Sequence, residues 1–300
     1  RSESDPTKVL NVTDVYLVQD NQTWLRVVVT STGYLTVGKG ARLEAQKIQL
    51  KDGGFEVDGG TVILGNATAG NDVRIYGKAT DFILKNGASL VLRGPNGDAN
   101  IDTSKGGDAS IAVQVSQQVY INGARIECYS GTGYSNPEPW VENLPLDGYY
   151  AAGGNASVSV GNSATPTTTV KGLKLTLVGG NGGRAADAKH PNSPTGSKGG
   201  GYSNGGDVAG WIGAGGRTGV TFAGIETSVS DLTVSATSGT GGRAGNGGGL
   251  LQNQGTSGWG GGGGGGYTGG DGVPYSSNGG EHAKPGGKVT GNVGAGGSSL

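Results

Sequence analysis

The sequence predicts an all-β protein built as a parallel β-solenoid, a stack of coils carrying ordered glycine-rich insertions of the polyglycine-II type. Three observations predict it. Glycine accounts for 66 of the 300 residues, and each glycine in a helix interior costs roughly 1 kcal/mol relative to alanine. Short runs of Val, Ile, Leu and Thr alternate with polar residues at period two and are punctuated by Gly, Asn and Asp. Two sequence words recur at intervals of tens of residues, as they do where coils stack on one another.

Composition narrows the alternatives. The 10 prolines are too few for collagen, and the glycines fall in doublets and runs instead of every third position. No stretch approaches the ~18 apolar residues of a membrane-spanning helix. A net charge of -1 leaves no overall electrostatic footprint for nucleic acid. The chain starts at Arg1 and has no methionine, which suggests an exported, extracellular product whose signal has been removed.

In chain order, residues 1–33 read as an N-terminal β segment or cap, with Val15-Tyr-Leu-Val18 and Trp24-Leu-Arg-Val-Val-Val29 flanking the turn-like Gln19-Asp-Asn-Gln22. Residues 34–133 read as solenoid coils. Their strands are Leu35–Val37, Arg42–Ala45, Lys47–Leu50, Phe55–Val57, Thr61–Leu64, Val73–Ile75, Phe82–Leu84, Leu90–Leu92, Ile111–Val115 and Val119–Ile121. The first recurring word is Gly40-Ala-Arg-Leu43, Gly87-Ala-Ser-Leu90 and Gly123-Ala-Arg-Ile126, with Gly60-Thr-Val and Gly172-Leu-Lys-Leu175 as looser copies. A glycine before an inward apolar residue suits a sharp corner that needs positive φ or close backbone approach.

The second word opens longer units at Gly106-Gly-Asp, Gly153-Gly-Asn, Gly215-Gly-Arg and Gly286-Gly-Lys, spaced 47, 62 and 71 residues apart. Residues 134–300 therefore continue the solenoid, with units starting near 153, 215 and 286. Glycine-rich insertions over 134–152, 184–214 and 243–285 grow from one recurring corner. An ordered glycine tract has no side chains to pack, so its backbone groups need one another, as in a sheaf of polyproline-II-like strands.

Gly260 to Gly266 followed by Tyr267-Thr-Gly-Gly-Asp-Gly272 resembles the glycine-rich module of the anaplastic lymphoma kinase receptor. The wider pattern resembles secreted right-handed β-solenoid surface proteins, among them prokaryotic, archaeal sheath or surface-fibril subunits.

Candidate chemistry is sparse. Asp72, Asp81, Asp98, Asp102 and Asp108 are the coil acids, mostly at turns where Asp is ordinary. His190 and His282 lack partners at metal-ligand spacing. No catalytic residue, metal site or cofactor is expected. Asn11, Asn21, Asn66 and Asn155 fit the glycosylation pattern at about the frequency chance gives. Cys128 is the lone cysteine, a buried thiol or, if exposed, an intersubunit covalent tie. Trp140, Trp211, Trp259 and Tyr267 lie in the insertions and are candidates for a contact or glycan-binding surface.

These features lead to a non-catalytic structural subunit of an extracellular filament, hoop or sheath that polymerises by β-strand stacking. Its partners would be copies of itself and a cell-surface glycan, with no nucleic acid and no membrane span. An adhesin or carbohydrate-binding solenoid at a fibre tip is the second reading, and a polysaccharide lyase or hydrolase the third.

Overall fold

The computed structural model describes residues 4–68, 71–97, 105–133, 152–182 and 215–240, together with the backbone of residues 146–147 and 208–209. No helix occurs among them, and every strand pairing is parallel.

The chain winds through seven coils, each with three faces. Coil 1 is β1 (Asp5–Val12), β2 (Val15–Val18) and the start of β3 (Asn21–Val29). Coil 2 is the rest of β3, β4 (Tyr34–Val37) and β5 (Arg42–Ala45). Coil 3 is β6 (Lys47–Asp58) and β7 (Thr61–Leu64), and coil 4 is β8 (Val73–Lys85) and β9 (Ser89–Arg93). Coil 5 is β10 (Ala109–Asn122) and β11 (Arg125–Tyr129). β12 (Leu146–Asp147) follows, and then coil 6 with β13 (Ala156–Gly161), β14 (Thr167–Lys171) and β15 (Lys174–Val178). β16 (Val208–Ala209) pairs back to β12 outside the coils. Coil 7 is β17 (Thr218–Ala223), β18 (Glu226–Ser230) and β19 (Thr233–Thr237).

Period-two alternation makes this arrangement self-consistent. Alternate side chains point inward, and the register stacks each on its equivalent one coil away. On the first face Val27, Ile48, Ile75, Ile111 and Val158 align. On the second, Leu35, Phe55, Phe82 and Val119 align, with the Phe55 and Phe82 ring centroids 5.3 Å apart. On the third, Leu64, Leu92, Cys128 and Leu177 align. Together these columns fill one continuous core.

Several expected strand pairs prove to be single strands that turn a corner. β6 and β10 pass from the first face to the second through local register shifts, at Lys51 to Phe55 and at Val115 to Gln118. The segment expected as an N-terminal β segment or cap over residues 1–33 supplies, in its described part, coil 1 and the start of coil 2. Of the insertions, only residue 152 and the pairing of 146–147 with 208–209 belong to the described residues. The polyglycine sheaf expected within them otherwise lies outside what is described, as do residues 241–300.

Candidate functional site: a glycine seam between two open ends

The corner between the second and third faces is built by the first recurring word. Gly40, Gly87, Gly123 and Gly172 have φ of 76°, 81°, 63° and 62°. The residues that follow, Ala41, Ala88, Ala124 and Leu173, are buried. Their carbonyls accept the N–H groups of Thr61, Arg125, Lys174 and Thr233 from the next coil, at 2.9–3.0 Å. In coil 3 the left-handed residue is Gly59, one position before the glycine the word points to, and in coil 7 Asp231 takes the place with φ 52°.

The corner from the third face back to the first is where the insertions leave and return, and glycine works differently there. Exit strands and lead-in strands interleave into a seam. Its amides donate in an unbroken line: Gly107 to Pro95, Gly131 to Gly107, Gly154 to Gly131, Gly180 to Gly154, Gly216 to Gly180 and Gly239 to Gly216, at 2.7–2.9 Å. A Cβ on Gly131, Gly180 or Gly216 would lie 1.7 Å from a backbone carbonyl oxygen two strands away. No side chain fits such a gap, so only glycine allows backbones to meet this closely.

A side-chain ladder runs beside the seam. The Oδ1 of Asp72 accepts the Asp108 N–H at 3.1 Å, that of Asp108 accepts the Asn155 N–H at 2.7 Å, and that of Asn155 accepts the Arg217 N–H at 2.9 Å. On the exit side, Asn96 and Asn181 accept the N–H groups of Thr132 and Thr240 at 3.0 and 2.9 Å. The second word hints at this ladder in the residue after each glycine doublet, Asp108, Asn155 and Arg217. Only the stacked geometry shows that they serve one another.

The candidate residues fall into distinct places. Asp72 and Asp108 are occupied as backbone acceptors in the ladder, Asp81 stands in β8, and Asp98 and Asp102 lie outside the described residues. Among the described residues no group of three His, Cys, Asp or Glu could hold a metal ion. Asn11, Asn21 and Asn66 are exposed on coils 1 to 3 and the loop after them, whereas the amide of Asn155 belongs to the ladder. His190, His282, Trp140, Trp211, Trp259 and Tyr267 lie outside the described residues.

Cys128 takes the first of the two places open to it, inside the core. Its side chain is 0% exposed within the leucine column of the third face, and burial pushes the thiol up to about 12. A sulfur enclosed by its own core cannot reach a second chain, so the intersubunit tie is withdrawn. On the second face the Tyr34 hydroxyl donates to Glu56 at 3.0 Å, and Lys85 pairs with Glu56 at 2.8 Å. Burial and then that Glu56 bond raise the Tyr34 hydroxyl above its ordinary range, and Glu56 likewise raises Lys85.

The two ends of the stack are open among the described residues. β1 and β2 pair only toward coil 2, and β17, β18 and β19 only toward coil 6. Apolar side chains surface at both ends: Val9, Val15 and Leu17 at one, Ile225, Val229 and Val234 at the other. Natural edge strands are commonly guarded by lysine or proline. Pro6 and Lys8 guard only the start of β1, and β17 to β19 contain neither. No protein-family model, curated protein or solved structure matches the chain.

Proposed function

We propose that this protein is a non-catalytic structural subunit that polymerises head to tail at the cell surface, the C-terminal end of one stack receiving coil 1 of the next. The observation that carries this reading is the pair of open ends. Among the described residues, each presents three parallel strands on a triangular cross-section, with exposed valine, leucine or isoleucine. Such a contact is heterologous, so it repeats into rings or filaments. The commitment of Asp72 and Asp108 to backbone hydrogen bonds favours a structural over a hydrolytic use of the coil. Export and surface location belong to the same proposal.

The test is electron microscopy and sedimentation of the full chain over a rising concentration series. Wild type forms regular filaments or hoops, and Val229→Lys, which places an ammonium on the coil 7 end, leaves dispersed protein with the wild-type β circular dichroism. Dispersed wild-type protein at every concentration sinks the proposal.

A further inference from the structure

The outer surface of the first face carries a basic column that pairwise neutralisation has bypassed. Parallel register places Arg26 beside Lys47 and Lys47 beside Arg74, one cation per coil on three successive coils. Four residues along the strands, Lys51 stands beside Lys78. Adjacent rungs are ~4.8 Å apart and the two columns ~13 Å apart. Like charges directly opposite one another destabilise a sheet, so this arrangement opposes folding.

The other faces treat their charges differently. Arg42 pairs with Glu44, Lys85 with Glu56 and Asp58, and Arg125 with Glu127. None of the five first-face cations has an ion pair with a carboxylate of the described residues. Neighbouring acids are engaged or peripheral: Asp5 pairs with Lys8, Asp72 holds the Asp108 amide, and Asp52 stands at the corner after Lys51. The two arginines are held in place by uncharged groups. Arg26 donates to Gln49 and, at 3.0 Å, to the Tyr76 hydroxyl, and the Arg74 guanidinium lies 5.0 Å over the Tyr76 ring. The Nε atoms of Arg26 and Arg74 are buried without a hydrogen-bond partner.

The geometry points to an anionic polysaccharide, with one carboxylate per sugar, lying along the solenoid axis on this face. A rung spacing of ~4.8 Å is close to the length of one sugar residue in an extended chain, so carboxylates on one side of a twofold chain, recurring at every second sugar, meet the cations of every second rung, Arg26 and Arg74. Gln49 and Ser110 on the same surface offer an amide and a hydroxyl to sugar hydroxyls. Duplex DNA fits less well, because each strand presents a phosphate every ~3.4 Å. The one aromatic ring of the patch is also covered by Arg74, which removes a platform for base stacking. The proposal does not rest on polymerisation, since the first face flanks the stack and leaves both ends free.

The probe is immobilised polygalacturonate, with fully methyl-esterified polymer and duplex DNA as comparisons, and the full chain is applied at rising salt. The chain binds polygalacturonate at low salt, releases it as salt rises, and ignores the esterified polymer. Lys47→Gln with Lys51→Gln and Lys78→Gln weakens binding on the order of a hundredfold, about fivefold per cation. Lys39→Gln with Lys171→Gln and Lys174→Gln, on other faces and corners, leaves it unchanged. The esterified comparison needs no variant, so the proposal stays falsifiable if the triple variant folds poorly. Wild type that fails to bind polygalacturonate, binds both polymers equally, prefers DNA, or weakens equally in the control variant overturns the proposal.

Discussion

The Gly180 amide donates to the Gly154 carbonyl at 2.9 Å, and the same glycine leaves room for the Gly131 oxygen where its own Cβ would stand at 1.7 Å. One residue thus closes a hydrogen bond and permits an approach no other residue allows. Gly180→Ala must shift a backbone strand, and we expect a loss of about 2–4 kcal/mol. Gly219 in β17 has nothing within 4 Å of its would-be Cβ. Gly219→Ala therefore changes stability by about 0.5 kcal/mol or less. Urea unfolding of the two variants checks the contrast, and equal losses would mean that glycine acts there through flexibility alone.

Asp108 joins two rungs, its backbone N–H donating to Asp72 and its Oδ1 accepting from Asn155. Asp108→Ala leaves the Asn155 amide without its acceptor and is expected to cost about 1–2 kcal/mol. Asp108→Asn retains an oxygen at the same position and recovers most of that loss. Thermal unfolding of the two variants tests whether the oxygen, and not the charge, matters.

The contrast between these sites explains what was legible in the sequence. The corner word was legible because the left-handed backbone at Gly40, Gly87 and Gly123 selects glycine locally, and the buried alanine follows within the same tripeptide. Strand positions were legible because inward and outward residues alternate. The corner passages inside β6 and β10 were not, since Asp52-Gly53-Gly54 and Ser116-Gln-Gln118 read as turns that end a strand, whereas the ladder runs on through them as bulges. The column of Arg26, Lys47 and Arg74 was hidden for another reason. Its members are separated by 21 and 27 residues and meet only through register, while the chain-wide charge of -1 averages them away.

Phe55 and Phe82 are the largest fully buried side chains among the described residues, stacked between Leu35 and Val119, and both are 0% exposed. Truncating either ring opens a cavity that neighbouring coils, fixed by their ladders, cannot collapse to fill. Phe55→Ala is expected to cost about 3–5 kcal/mol and Phe55→Leu about 1 kcal/mol. Chemical denaturation of the two variants provides the measurement, with a small loss for alanine indicating that the coils move together.

Cys128 gives the pH dependence a defined sign. The thiol has an ordinary value of 9.0 and is pushed to about 12 by burial in the folded chain. Between those values the unfolded chain gives up the proton while the folded chain keeps it, so the folded state binds more protons and stability falls as pH rises. The decline begins near pH 9 and continues toward pH 12, over the interval between the two values. Cys128→Ala creates a small cavity and lowers stability by about 1 kcal/mol at neutral pH, but it removes the thiol's share of the alkaline slope. Denaturant unfolding of both proteins at pH 7, 9 and 10.5, the chosen settings of the measurement, reads this share as a narrowing gap. Reactivity toward a thiol reagent supplies the second readout: native protein resists labelling, and the rate follows unfolding. Prompt labelling of the native chain would place the sulfur at the surface and contradict the leucine column.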